Sequence, residues 1–304
     1  MEADRLPAGS VPGVFDGFQR VVTEIDGVRI NAVHGGSGPP VLLLHGFPQT
    51  HAMWHAIGPE LAGEHTVVAP DLRGYGDSAR PPSGEDHAGY SFRAMAADQV
   101  GVMRSLGHDE FAVVAHDRGA RVAHRMALDH PAAVTRAALL DILPTTHVYD
   151  HVTRAVATAY YHWFFFIQPA DLPERLIAAD PVGYLHSLLG GWGSGLDAFA
   201  PEALAEYERC FSRADARHAM LEDYRAGASI DLEHDRADLD RRVTAPLLAL
   251  WGARSVVGAS PIDPLEVWRE RGDDVRGATV DAGHFLVEEA PQATLAALRS
   301  FLRQ

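Results

Sequence analysis

The chain has 304 residues, 47% of them apolar and 22% charged, an ordinary globular balance that excludes a disordered chain. Its 26 Lys and Arg against 41 Asp and Glu leave a net charge of −15, which disfavours nucleic acid and anionic membrane surfaces as partners. The one cysteine, Cys210, permits neither an intrachain disulfide nor a cysteine-based zinc site. The opening MEADRLPAGSVPG lacks the basic and apolar regions of a signal peptide, and the most apolar stretch, Ala155 to Ile167, is too short to span a bilayer, so the expected location is the cytoplasm.

Phe18 to Val33 reads as a hairpin with Asp26-Gly27 at its turn. Pro40 to Leu44 is a short continuous apolar run that suits a strand buried on both faces of a parallel sheet, and it ends in His45-Gly46. His65 to Pro70 is another, followed by Asp71-Leu72-Arg73-Gly74. Ser91 to Leu106 has helical spacing, Phe111 to Ala115 is a strand, Asp117 to Leu128 a helix, and Val134 to Leu140 a strand that ends at Asp141. From Pro144 to Asp240 there are helical patches broken by Pro and Gly and no strand pattern. Alternation resumes with strands at Pro246 to Trp251 and Val275 to Val280, the latter ending at Gly283-His284, and closes with a helix from Pro291 to Leu302. The expected fold is therefore α/β. A mostly parallel sheet flanked by helices is built from 1–144 and 242–304, and a helical cap, 145–241, is inserted over the carboxyl ends of the strands, where open sheets bind ligands.

Three polar residues fall at strand ends in the order Asp117, Asp141, His284. Asp117 lies in Ala115-His116-Asp117-Arg118-Gly119, a small-x-nucleophile-x-small pattern with aspartate in the usual serine position. An N-cap for the following helix would also place an aspartate there. The Gly-His pair at 283–284 occupies the usual place of a catalytic base. The strand ending at Trp251 is followed by Gly252-Ala253-Arg254-Ser255-Val256-Val257 without a carboxylate, and Asp263 comes late, so Asp141 is the better placed acid to hold the His284 imidazole. Arg118 and Arg121, one helical turn apart beside the nucleophile, suit an anionic substrate, because a guanidinium fork matches two carboxylate oxygens. Pairing of either arginine with a structural acid such as Asp71 or Asp129 is the competing reading.

The strand order, His45-Gly46-Phe47-Pro48, the aspartate elbow and the terminal histidine resemble the α/β-hydrolase superfamily. More narrowly, five segments resemble the fluoroacetate (haloacetate) dehalogenases: His116-Asp117-Arg118-Gly119-Ala120-Arg121, Asp141-Ile142-Leu143-Pro144, Tyr161-His162-Trp163, Glu222-Asp223-Tyr224-Arg225-Ala226-Gly227 and Gly283-His284-Phe285-Leu286, with the His-Gly-Phe-Pro element shared with epoxide hydrolases and haloalkane dehalogenases. The likeness runs from Phe15 to the end of the chain.

The resemblance implies a cofactor-independent, metal-free hydrolase in which Asp117 displaces halide from a small anionic haloacid and His284, backed by Asp141, activates water against the resulting ester. It implies oxyanion donors in the backbone N–H groups of Phe47 and Arg118, and halide donors in His162, Trp163 and Tyr224. By the residues alone, Ala157 to Phe166 is aromatic enough to read as plain cap core. Trp192 resembles a cap residue that shapes the acid-binding end, and Val256 falls on the pocket side after Trp251. A homodimer is implied as well. The alternatives are an epoxide hydrolase or haloalkane dehalogenase with a neutral substrate, against which Arg118 stands where those enzymes typically carry tryptophan, and a non-enzymatic receptor on a hydrolase fold.

Overall fold

A computed structural model describes residues 14, 15 and 17–304. The N-terminal stretch read above for the absence of a signal peptide lies outside the described residues. The eight strands are β1 (Gln19–Ile25), β2 (Val28–Gly36), β3 (Pro40–Leu44), β4 (Thr66–Pro70), β5 (Phe111–His116), β6 (Val134–Leu140), β7 (Leu247–Gly252) and β8 (Val275–Val280). They form one sheet in the order β1-β2-β4-β3-β5-β6-β7-β8. β2 runs antiparallel to both β1 and β4, and every other pairing is parallel.

The hairpin turns where the sequence places it. Ile25 pairs with Val28, and the two turn residues Asp26 and Gly27 both have positive φ (48° and 81°), the conformation a two-residue hairpin needs to match strand twist. In the centre of the sheet Val41–Leu44 and Phe111–His116 are buried along their length. That explains their unbroken apolar runs: helices cover both faces of a parallel sheet, and no position is left for water. The helices Phe92–Ser105 and Asp117–Asp129 pack against one another beside β5 and β6. Ser91 caps the first of them, accepting from the Ala94 N–H at 3.2 Å.

Between Leu140 and Leu247 the ordered elements are helices, the longest being Pro181–Trp192, Pro201–Phe211 and Ala214–Gly227. Three short helices escaped the sequence pattern: Gly58–Ala62, Pro264–Arg269 and Leu286–Glu289. Each is too brief to show a 3.6-residue period, although Asp263 caps the second from just before its proline. Among the described residues no helix is long and apolar enough to cross a membrane.

Candidate active site

The carboxyl ends of β3, β5, β6 and β8 deliver Phe47, Asp117, Asp141 and His284 to one edge of the sheet. Asp117 has φ of 45°, a left-handed conformation that costs energy for any residue with a side chain and that turns the chain sharply from β5 into its helix. Gly119 makes the turn possible, since a Cβ there would lie 2.3 Å from the His45 carbonyl oxygen and 2.7 Å from that of Leu44. The Asp117 carboxylate does not cap its own helix. Its Oδ2 accepts from the Phe47 N–H at 3.0 Å, across the sheet edge. Arg118 is the second residue of that helix, where helix geometry leaves the amide without an intrahelical acceptor.

His284 donates from Nδ1 to Asp141 Oδ2 at 2.7 Å, which leaves Nε2 with the free lone pair. Asp141, itself at a positive φ of 53°, is held in turn through Oδ1, which accepts from the Gly252 N–H at 3.0 Å and the Ser255 hydroxyl at 2.6 Å. The loop after β7 lacks a carboxylate but grips the one supplied by β6. Asp263 is remote in role, serving as a helix cap.

The backbone around His284 is fixed on four sides. Glu289 accepts from the Gly283 and Phe285 N–H groups at 2.8 and 2.9 Å. The His284 N–H donates to the Trp192 carbonyl at 3.0 Å. The His116 ring donates from Nε2 to the His284 carbonyl at 2.8 Å, and burial drops the His116 pKa to about 4, so it acts as a neutral donor. Gly283 admits the cap here: a Cβ would sit 2.7 Å from Gly193 Cα and 3.0 Å from the Trp192 carbonyl.

Burial alone would push the Asp117 carboxyl up, but the charges of His284 and the two arginines outweigh it and hold the group ionised below its ordinary range. Burial would likewise lower His284, and here the hydrogen bond and charge of Asp141, with the charge of Asp117, win and raise it.

Asp117, Asp141 and His284 line an enclosed cavity of about 30 Å³ together with Arg121, Tyr160, His162, Trp163, Trp192, Tyr224 and Val256. Arg121 is buried beside Asp117 but has no carboxylate hydrogen-bonded to it, which is unusual for a guanidinium. Nη1 donates to the Leu143 carbonyl and the Thr145 hydroxyl, both at 2.9 Å, its plane lies 4.6 Å over the Trp163 ring, and among the described residues no carboxylate bonds it. The arginine expectation splits at this point. Arg118 does not line the cavity. Its Nε donates to Asp223 Oδ2 at 2.9 Å, its Nη2 donates to both the Asp223 carboxylate and carbonyl, and Tyr224 covers its face at 4.4 Å. The acid that claims it is Asp223, one residue from Tyr224, while Asp71 is taken by His51 and Asp129 by Arg93 and Arg125.

The cap side of the cavity is aromatic. His162 packs 4.4 Å from Trp192 and 5.8 Å from Tyr224, Tyr160 stacks on Trp163 at 5.3 Å, and Trp192 stands edge-on to His284 at 5.9 Å. Burial drops the His162 pKa to about 3, so its ring is neutral, and its Nδ1 is buried without a partner. Unpartnered buried polar atoms are rare and mark a ligand site or stored cost.

A family model for the alpha/beta hydrolase fold matches residues 39–291. A fluoroacetate dehalogenase from Burkholderia sp. is 48% identical over 95% of each chain. The chain belongs to the alpha/beta hydrolase fold family. A soluble epoxide hydrolase from Corynebacterium sp. strain C12 is 35% identical to this hydrolase, over 88% of this chain and 91% of its own. A solved structure from Nostoc sp. PCC 7120 superposes with a TM-score of 0.92 at 55% identity, covering 94% of this chain and 98% of the other.

Several site residues of this hydrolase escaped sequence reasoning. Tyr160 lines the cavity but sits in an aromatic run that reads as plain core. Ser255, Glu289 and Asp223 act through other residues, and of these only Asp223 carried a signal, its place beside Tyr224.

Proposed function

We propose that this hydrolase is a haloacetate dehalogenase that converts a haloacetate to glycolate and halide, with fluoroacetate as the first substrate to test. The observation that carries the reading is Arg121: a buried guanidinium without a carboxylate partner, beside the ionised Asp117 in a cavity of about 30 Å³. A small anionic substrate supplies the missing carboxylate and offsets that charge. The Burkholderia dehalogenase adds to the case.

In the proposed reaction one Asp117 oxygen attacks the halogen-bearing carbon. The carbon–halogen bond breaks, its electron pair leaves with the halide, and an aspartyl ester remains. An aspartate suits this step because the ester it forms is hydrolysable, whereas a serine would leave an ether. His162, Trp163 and Tyr224 present N–H and O–H donors to the departing halide. His284 Nε2 then takes a proton from water, the water oxygen adds to the Asp117 carboxyl carbon, and the Phe47 and Arg118 N–H groups stabilise the oxyanion. Collapse breaks the bond from the Asp117 carboxyl carbon to the glycolate oxygen, which takes the proton back from His284, so that glycolate leaves and Asp117 and His284 are restored. The substrate carboxylate rests on Arg121, with Arg118 behind it pinning Tyr224 through Asp223. Trp192 and Val256 shape the remaining walls.

We assign 145–241 as the cap, a homodimer as the assembly and the cytoplasm as the location. The second reading, an epoxide hydrolase, draws on the Corynebacterium relative, but a neutral epoxide offers the Arg121 guanidinium no carboxylate to bind. Halide release from fluoroacetate, chloroacetate and a neutral 1-haloalkane, alongside diol formation from styrene oxide, tests the assignment. Turnover of the acids is expected; faster turnover of a neutral compound overturns it.

A further inference from the structure

Beside the catalytic cavity of about 30 Å³ lies a second chamber of about 390 Å³. Two side chains line both spaces, Tyr160 and Val256. The chamber walls are mainly apolar, with Leu143, Val148, Val156 and Val257 among them, and its rim at His151 and Arg254 is exposed to solvent.

The two shared residues come from opposite sides. Tyr160 sits at the junction of the cap helices Arg154–Ala159 and Tyr161–Phe166, its ring stacked on Trp163 at 5.3 Å and an interplanar angle of 21°. Val256 belongs to the core loop after β7, next to the Ser255 hydroxyl that holds Asp141. A cap residue and a core residue thus close a wall within reach of the nucleophile.

We propose that Tyr160 and Val256 form a partition that sets the size of acid this hydrolase accepts, restricting it to an unsubstituted α-carbon, and that the chamber behind them has the volume and apolar lining to hold an alkyl group carried on that carbon. The proposal rests on the haloacid reading above. An inner cavity of this size holds only a few water-sized atoms, so an α-alkyl branch meets the Tyr160 ring or the Val256 methyls. The Tyr160 hydroxyl makes no hydrogen bond to protein among the described residues. The residue therefore acts through ring bulk, and its truncation orphans no buried partner.

The test compares kcat/KM for chloroacetate, 2-chlorobutanoate and 2-chlorohexanoate in the wild type, Tyr160→Ala, Tyr160→Phe and Val256→Ala. Tyr160→Ala is expected to raise the 2-chlorobutanoate-to-chloroacetate ratio by about tenfold or more, the scale of discrimination that one or two methylenes command in an apolar pocket. Val256→Ala moves the ratio less, in the same direction, and gives the same reading if Tyr160→Ala does not fold. Tyr160→Phe keeps the wild-type ratio. Unchanged ratios in both alanine variants, or a Phe variant that shifts as far as Ala, overturn the partition. A wild type inert to chloroacetate sinks the haloacid reading instead. Calorimetric binding of acetate and butanoate then decides the partition separately, with Tyr160→Ala required to favour butanoate over acetate relative to the wild type.

Discussion

In the core half of the site each functional group is fixed by hydrogen bonds to named backbone or side-chain atoms: Asp117 to the Phe47 amide, Asp141 to Gly252 and Ser255, His284 to Asp141 with Glu289 bracketing its chain. The cap half is arranged by ring packing. His162, Trp163, Trp192 and Tyr224 lie against one another, and His162 Nδ1 is buried without a partner. Directional bonds hold the atoms whose positions must be correct to fractions of an ångström for bond making. Packed rings give a cage whose shape and donor set can vary without disturbing that geometry. In the proposed reaction the core thus holds the nucleophile, acid and base, while the cap rings complete a pocket whose selectivity they share with Arg121 and Val256 of the core.

Removing the nucleophile tests the core half most severely. Asp117→Asn is expected to lower halide release by roughly 10⁴-fold or more, read with a halide electrode. His284→Asn leaves the first step intact and blocks the second, so incubation with haloacetate accumulates protein heavier by one carboxymethyl group in intact-mass spectra. Wild-type turnover in the first variant, or no adduct in the second, breaks the division of labour.

The Arg118–Asp223 pair is one of the bonds that join cap and core, with Asp223 also accepting from the Tyr75 hydroxyl at 2.6 Å. Both partners are fully buried. Asp223→Asn leaves the Arg118 charge without its counter-ion and should destabilise the fold by about 3–5 kcal/mol, measured by denaturant unfolding. Arg121→Met, by contrast, removes a charge without a carboxylate partner. It should raise KM for chloroacetate by on the order of 10–100-fold, with a much smaller change in stability. If the two variants exchange these effects, the assignment of one arginine to the fold and the other to the substrate is wrong.

The pH dependence separates the halves again. His284 must be neutral to take a proton, and its pKa is raised by Asp141 and Asp117, so ester hydrolysis should fall as pH drops through a value above the ordinary 6.5. Because the folded-state value is the higher one, protonated His284 stabilises the fold at low pH and that contribution fades as pH rises through it. In Asp117→Asn one of the charges holding it up is gone, and an NMR titration should show the His284 pKa move down. His162, already neutral, adds no limb. The smallest effect belongs to the donors: Trp163→Phe removes one N–H and should slow fluoroacetate by about tenfold, and bromoacetate less, because fluoride leans harder on hydrogen bonding as it departs.

Much of the core was legible in the chain. β6 and the helix Pro291–Leu302 have the bounds that their apolar runs and flanking residues suggest, because a buried parallel strand must be apolar along its length and a proline opens a helix without loss. Strand ends then placed Asp117, Asp141 and His284 without any knowledge of contacts. Illegible were the groups that act at second hand. Glu289 sits five residues past His284 and looks like any surface glutamate, and the Arg118 partner lies 105 residues away.

The sequence by itself determined the sheet, the cap insertion and the order of the three strand-end residues, because periodicity and strand ends are local properties of the chain. The tertiary structure alone decided which of two neighbouring arginines faces the cavity. Arg118 and Arg121 sit one turn apart on the same helix, and nothing local distinguishes them; the difference is Asp223, which the cap brings down onto one and not the other. It also decided that Tyr160 and Val256 share a wall. The net charge of −15 is no bar to an anion because the field at the site is set by the buried guanidinium a few ångströms away, while the acidic surface is screened by water and salt.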